Sequence, residues 1–281
     1  MSVGSRTEAG PGADIAQRAL APFGRRVLSA TAREEYGAYT VLRALDPTGP
    51  APQAGQFYML STAAAWGAGE GGRPFLPRAF SVVRAEPLPA GGVQLHFLIE
   101  EVGPGSRRLC ELEPGQGLAV LGPLGCGFRP PREGRRAILV GGGVGIAPLA
   151  IWQDQLGPDV PALLGFRDAA RARGAELLAN VSVATDDGSV GHPGFVTGLL
   201  ASELEVQGEG LEVYACGPEP MLDAVRRLCA EHGAAAQLAL EAGMACGYGA
   251  CFGCVVATRR GYLRLCLDGP VLDADLLGDA G

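Results

Sequence analysis

From Met244 the chain reads M-A-C-G-Y-G-A-C-F-G-C, and Cys266 follows in L-R-L-C-L, so four of the eight cysteines are spaced C-x4-C-x2-C-x11-C. Thiolates are soft ligands, and a C-x4-C-x2-C run with a distant fourth Cys is the plant-type iron–sulfur pattern. Glycines between the first three cysteines let a loop fold tightly around an inorganic centre. On this reading one loop carries Cys246, Cys251 and Cys254, and a later strand brings Cys266. A structural zinc site and a pair of disulfides are the alternatives. Zinc knuckles usually come as paired short C-x2–4-C units, and disulfides belong to oxidising compartments.

Four further stretches could touch a ligand. In R-A-F-S, Arg78 can pair with phosphate, Phe80 can lie against a planar ring and Ser81 can hydrogen-bond it. Gly103–Ser106, G-P-G-S, opens a short helix and offers backbone N–H groups and the Ser106 hydroxyl to an anion. In G-G-G-V-G-I-A-P the glycines Gly141, Gly142, Gly143 and Gly145 remove side chains where a pyrophosphate approaches a helix N-terminus. A tight strand-to-helix turn would use the same glycines. In Y-A-C-G-P-E-P-M, Cys216, Gly217 and Pro218 border the crevice beyond a parallel strand. The three histidines are scattered, and no His/Ser/Asp hydrolase constellation is present.

The elements that must hold these residues fall into two patterns. Between Arg25 and Pro131 lie short strands separated by Gly/Pro turns: Val27–Ala30, Tyr39–Ala44, Gln56–Ser61, Phe80–Arg84, Val93–Glu100 and Gly117–Val120. In V-Q-L-H-F-L-I-E the alternation of Val93, Leu95, Phe97 and Ile99 predicts a half-buried strand with His96 outward and solvated. Six strands without long helices predict an antiparallel β-barrel. The stretch 63–72, A-A-A-W-G-A-G-E-G-G, reads as a surface loop. After a Pro/Arg linker, apolar strands at Ala137–Val140, Pro161–Phe166, Val181–Thr185 and Val213–Cys216 alternate with helical segments, predicting a parallel α/β sheet. The last helix, Pro220–Glu231, sets Met221, Val225 and Leu228 on one stripe, with Leu222 and Cys229 beside it. The expected domains are an arm over 1–24, a barrel over 25–131, an α/β domain over 132–232 and a cluster-binding segment over 233–281.

Composition excludes several classes. With 23 Lys and Arg against 30 Asp and Glu, net charge −7, the chain lacks the basic surface that nucleic acid requires. The N-terminus has no signal-peptide core, and the uncharged stretch 137–152 is too short and too rich in Gly and Pro to cross a membrane. A cytoplasmic protein is expected, with cysteines free or metal-bound.

Taken in order, R-x-F-S, G-x-G-S, G-P-L-G (122–125), G-G-G-x-G-x-A-P and C-G-P resemble the ferredoxin–NADP reductase family of flavoproteins. With the C-terminal cysteines, the region 25–272 resembles the electron-transfer subunits of type B dihydroorotate dehydrogenases within it. The resemblance implies FAD on Arg78, Ala79, Phe80 and Ser81, with Leu98, Ile99 and Glu100 lining the cofactor and Gly105 and Ser106 at its pyrophosphate. It implies a 2Fe-2S cluster on Cys246, Cys251, Cys254 and Cys266. NAD would lie against the glycine turn and Cys216–Pro218, with Ser81 tuning the flavin ring and Cys216 bordering the hydride path. The implied partner is an FMN-containing dihydroorotate dehydrogenase catalytic subunit, in a heterotetramer of two of each, with electrons passing from FMN through the cluster and FAD to NAD+. NAD is expected over NADP: Arg167 could accept a 2′-phosphate, but Asp168, Asp186 and Asp187 would repel it. Subunits serving a hydrogenase or a sulfide dehydrogenase share this motif order, and a non-catalytic redox sensor is the reading outside the class.

Overall fold

The computed structural model describes residues 25–67, 74–89 and 91–278. The expected arm over 1–24 and residues 68–72 of the predicted surface loop lie outside them. Strands β1 (Arg26–Tyr36), β2 (Tyr39–Asp46), β3 (Phe57–Thr62), β4 (Arg78–Pro87) and β5 (Val93–Glu100), helix α1 (Pro104–Cys110) and β6 (Gly117–Leu124) come first. The six strands close an antiparallel barrel in the order β1-β2-β5-β4-β3-β6. Closure removes the sheet edges that would otherwise expose unpaired backbone groups.

Next come β7 (Arg136–Gly142), a 3-10 turn over Gly143–Ile146, α2 (Ala147–Leu156), β8 (Ala162–Phe166), α3 (Ala169–Ala172), β9 (Val181–Thr185), β10 (His192–Pro193), α4 (Val196–Gln207), β11 (Leu211–Cys216), α5 (Glu219–Glu231) and β12 (Ala235–Ala239). Then follow β13 (Val255–Thr258), β14 (Gly261–Arg264), α6 (Leu265–Asp268), β15 (Val271–Asp273) and a 3-10 turn over Ala274–Leu276. A second sheet runs β10-β9-β8-β7-β11-β12-β15, parallel through β12, with β15 antiparallel at its edge. The sheet therefore continues past residue 232. The short apolar run of β12 sits directly after α5 and pairs with β11, and β15 brings the tail back onto it. Among the described residues no helix is long and apolar enough to cross a membrane.

Two expectations about faces change. His96 is 3% exposed, not solvated, and Leu98 is buried as well. Helix α2 packs across β4, and Arg43 and Arg84 occupy the strand positions on either side of His96, so the outer face is covered as well as the inner. Burial lowers the His96 pKa, opposed by Glu86. In α5 the buried stripe is Leu222, Val225 and Cys229, with Met221 at its margin; burial pushes the Cys229 thiol up to about 12.

The two sheets are joined by an apolar core and by specific polar contacts. From Ala147 to Gln153 every residue of α2 is buried, as expected of a helix covered on both sides. Phe128 of the linker, Trp152 of α2 and Tyr214 of β11 pack with ring centroids 5.5 to 5.9 Å apart. Arg171 Nη2 lies 2.8 Å from Glu100 across the junction, and Arg84 pairs with Asp154 and donates to Leu177 O. The linker is held by Gln237, whose amide accepts from Arg129 N at 2.9 Å and donates to Glu212 at 2.9 Å and Arg129 O at 3.0 Å. Buried polar groups are tolerated because they are paired in this way.

Candidate functional site

Where barrel and second sheet meet, an open cleft is walled by Phe57, Ala79, Phe80, Ser81 and Leu98 from the barrel, by Val144, Gly145 and Ala147 from the turn after β7 into α2, and by Cys216 at the end of β11. Its third wall is the exit of β12, Ala239–Ala242, followed by Met244 and Pro270. The cleft gathers Ala79, Phe80, Ser81, Leu98, Gly145 and Cys216 from the predicted residues. Ile99 is instead fully buried in the core. Glu100 is bound by Arg171, which Asp168 also holds at 2.6 Å. Asp168 thus serves α3 and the junction, while Arg167 is exposed.

Arg78 stands outside the cleft, its Nη1 donating to Leu76 O at 2.6 Å. A Cβ on Gly105 would lie 3.1 Å from Arg78 Nε and 3.3 Å from the Trp66 ring, so an aromatic plane and a cation converge on bare backbone there. Trp66 comes from the predicted surface loop yet is half-buried, and its Nε1 has no partner. The Ser106 hydroxyl is engaged within its own turn. Its oxygen accepts from Val102 N and Gly103 N at 2.9 and 3.1 Å, and its O–H donates to Gly103 O.

The glycine turn is built largely by packing. A Cβ on Gly141 would meet Ile146, Leu164 and Leu149, and one on Gly142 would lie 2.7 Å from Met221 Sδ. On Gly145 it would lie 2.6 Å from Cys216 O, and on Gly217 2.6 Å from Met221 Cε. These residues let the loops after β7 and β11 touch, while Pro218 begins α5 at their rim. Gly143 differs: its φ is +55°, and a Cβ there would meet only Tyr39 Oη, at 4.0 Å. That hydroxyl is buried without a partner, leaving backbone and a phenol free to meet a ligand.

Proton-bearing groups line the otherwise apolar cleft. Burial pushes the Cys216 thiol well up, with Glu241 adding to the effect, so it stays neutral. Partial loss of hydration also raises the Glu241 carboxyl, although the residue as a whole is exposed. In the sequence Glu241 carries no signal beyond its place between β12 and the cysteine loop.

That loop lies against the barrel. Gly247 and Gly249 have φ of +80° and +82°, and a Cβ on Gly247 would lie 2.6 Å from Met59. Cys266 sits in the helical turn α6, not in a strand, and its N–H donates to Cys254 Sγ at 3.5 Å. Cys246 is the thiol neighbour of Cys251, and Cys254 that of Cys266. Among the described residues no three His, Cys, Asp or Glu side chains gather as a single ion needs. The donor set is two thiol pairs, and all eight cysteines are free of disulfides. The N–H groups of Gly253 and Cys246 draw exposed Cys251 down to about 7, while burial pushes Cys266 up to about 12. Cys254 and Cys266 share a core with Phe57, Met59, Leu124, Leu265 and Leu272. Phe57 therefore belongs to both cleft and cysteine pocket.

A family model described as the iron-sulfur cluster binding domain of dihydroorotate dehydrogenase B matches residues 241–278. The chain is 37% identical over 233 residues to the protein of Caldanaerobacter subterraneus subsp. tengcongensis named dihydroorotate dehydrogenase B (NAD(+)), electron transfer subunit, covering 81% of this chain and 87% of the relative. A Geobacillus thermodenitrificans protein of the same name is 38% identical over 232 residues, with 78% and 84% covered. Among solved structures, an NADH-dependent reduced ferredoxin-NADP oxidoreductase superposes with a TM-score of 0.73 at 22% identity, over 91% of each chain. A ferredoxin NADP+ reductase from Neisseria gonorrhoeae with bound FAD and NADP gives 0.57 at 19% identity, over 74% of this chain and 92% of that one. At these identities the two structures speak for the fold.

Proposed function

The chain belongs to the family of dihydroorotate dehydrogenase B (NAD+) electron transfer subunits, and from that premise we propose that it holds FAD in the cleft and a 2Fe-2S cluster on Cys246, Cys251, Cys254 and Cys266. Its activity is that of an NAD-linked oxidoreductase subunit, coupling dihydroorotate oxidation in a catalytic partner to NAD+ reduction. The shared wall carries this reading. Met244 lines the cleft and stands two residues before Cys246, so their Cα atoms lie within about 7 Å. When bound, a flavin exchanges a hydride on one side and single electrons on the other, and an iron–sulfur cluster carries single electrons.

The cleft's apolar walls suit a planar ring, with Phe57 and Phe80 for contact and the Ser81 hydroxyl for a hydrogen bond. Arg78, Trp66 and the backbone at Gly105 suit its nucleotide end. Gly143, with Tyr39 Oη above it, is the free backbone position for the dinucleotide. Cys216, kept neutral by burial, and the exposed Glu241 stand where the nicotinamide would enter; the buried thiol keeps water from that wall, and the carboxyl can hold a proton. Two thiol pairs fit two irons better than one ion.

The partner is an FMN-bearing catalytic subunit, in a heterotetramer with two copies of each chain. Large exposed aromatics around the cysteines, Tyr248, Phe252 and Tyr262, the last 80% exposed, supply the composition of a docking face. Eight free cysteines suit a reducing cytoplasm. The test is flavin and iron analysis of anaerobically purified protein with its Cys251→Ser variant. Expected are one FAD and two irons per chain in the parent and loss of iron with FAD retained in the variant; zinc in place of iron, or an FAD-free parent, contradicts the reading.

A further inference from the structure

We propose that Arg264 is a positioning residue for the iron–sulfur centre: it clamps the three-cysteine loop onto the segment carrying Cys266, and its charge favours the reduced state. The proposal rests on the four-cysteine reading above. Arg264 ends β14, and the next residues form the helical turn that presents Cys266. Its backbone N–H is taken by Asp268 Oδ2 at 3.0 Å, which fixes where the side chain departs. From there the guanidinium reaches back across the loop. Nη1 donates to Gly249 O at 3.1 Å, in the interval between Cys246 and Cys251. Cζ lies 5.0 Å from the centroid of the Phe252 ring, in the interval between Cys251 and Cys254. One side chain thereby touches both spans that separate the ligands.

Those spans need holding. Gly249 and Phe252 both have left-handed backbone, with φ of +82° and +58°. Glycine adopts that region freely, but for a bulky residue such as phenylalanine it is an outlier. Phe252 is 63% exposed, so the core does not fix its ring, whereas the Arg264 guanidinium sits over it. A cation over an aromatic ring stabilises such contacts, and the planar fork can stack and donate at once, which an ammonium does less well.

The charge has its own consequence. Four thiolates make the ligand set anionic, reduction adds a further electron, and the chain as a whole carries −7. A neighbouring guanidinium favours the more negative state and so raises the reduction potential; Asp268, close by, opposes it in part. A centre tuned upward accepts an electron from the catalytic partner more readily.

The experiment compares anaerobic holoprotein of wild type, Arg264→Gln and Arg264→Lys by an EPR-monitored redox titration of the centre and by the rate of iron release to a chelator. In Arg264→Gln the reduced-to-oxidised ratio at the wild-type midpoint should fall about three- to tenfold, tenfold being 59 mV for one electron, and iron should leave several-fold faster. Arg264→Lys should keep the ratio within about twofold while still releasing iron faster than wild type. Should Arg264→Gln not load, Phe252→Ala replaces it for the clamp and must release iron faster, and Arg264→Lys then carries the charge test, a lowered potential counting against it. Wild-type potential in a loaded Arg264→Gln, or wild-type iron release in whichever variant loads, overturns the proposal. A wild-type chain without iron, or one whose iron survives Cys254→Ser, overturns the four-cysteine reading itself, which separates the two failures.

Discussion

Replacing Gly145 by alanine tests whether the contact between the loops after β7 and β11 shapes the cleft. The new Cβ would stand 2.6 Å from Cys216 O and 2.7 Å from both Cys216 C and Gly217 Cα. All three are backbone atoms, so no side chain can swing aside. Ordinary contact begins near 3.4 Å, and the loops must part by about 0.8 Å to reach it. Overpacking of this kind costs about 1–3 kcal/mol. With no left-handed backbone at Gly145, alanine also narrows the unfolded ensemble and returns about 0.4–1 kcal/mol. Taking the upper end for a clash with fixed backbone, the net loss is about 2 kcal/mol, or a fall in Tm of about 4–8 °C. A displacement near 1 Å in a reaction cleft can slow the chemistry by about a hundredfold, so NADH-dependent FAD reduction by stopped flow should drop about ten- to a hundredfold. Gly210→Ala is the control: nothing lies within 4 Å of its Cβ, and it should be neutral or slightly stabilising. Wild-type Tm and wild-type flavin reduction in Gly145→Ala would refute the argument.

Arg78→Ala should lose FAD on dilution while keeping its iron, read by gel filtration and metal analysis; equal FAD retention would remove Arg78 from the site. Gln237→Ala strips Glu212 and the Arg129 backbone of buried partners, and about 1–3 kcal/mol should be lost in denaturant unfolding, with little change in cofactor content. Cys216 should resist iodoacetamide at pH 8 in the folded protein and react once unfolded. Because burial holds its proton where the unfolded chain releases it near pH 9, its contribution to stability is present below that pH and declines above it.

Much of the architecture could be read from local pattern. The predicted Val93–Glu100 and Val181–Thr185 coincide with β5 and β9, and alternating apolar runs between Gly/Pro turns were enough to foresee the barrel. Which face of β5 met solvent could not be read, because α2, far along the chain, covers β4 beside it. Strand β12 was missed since A-A-Q-L-A lacks the branched residues of a typical strand; its neighbours β11 and β15 make it one. The glycine turn was recognised for its mechanics, yet Gly141, Gly142 and Gly145 answer to Met221, Cys216 and core side chains that only the folded chain brings near. Cysteine spacing named all four proposed ligands, whereas Glu241 and Trp66 came into view only through the loops that carry them. Short-range periodicity records an element's own preference, and a binding wall is assembled from elements that know nothing of one another in sequence.

The proposed role of the cysteine pocket is to connect the cleft to a catalytic partner. Its most direct test is NAD+ reduction by dihydroorotate in the complex reconstituted with the FMN-bearing subunit, measured beside NADH-dependent bleaching of FAD in the isolated chain, for wild type and Cys254→Ser. Cys254→Ser should bleach FAD at the wild-type rate while dihydroorotate-dependent NADH formation falls to background. Full NADH formation by the iron-free variant would contradict it.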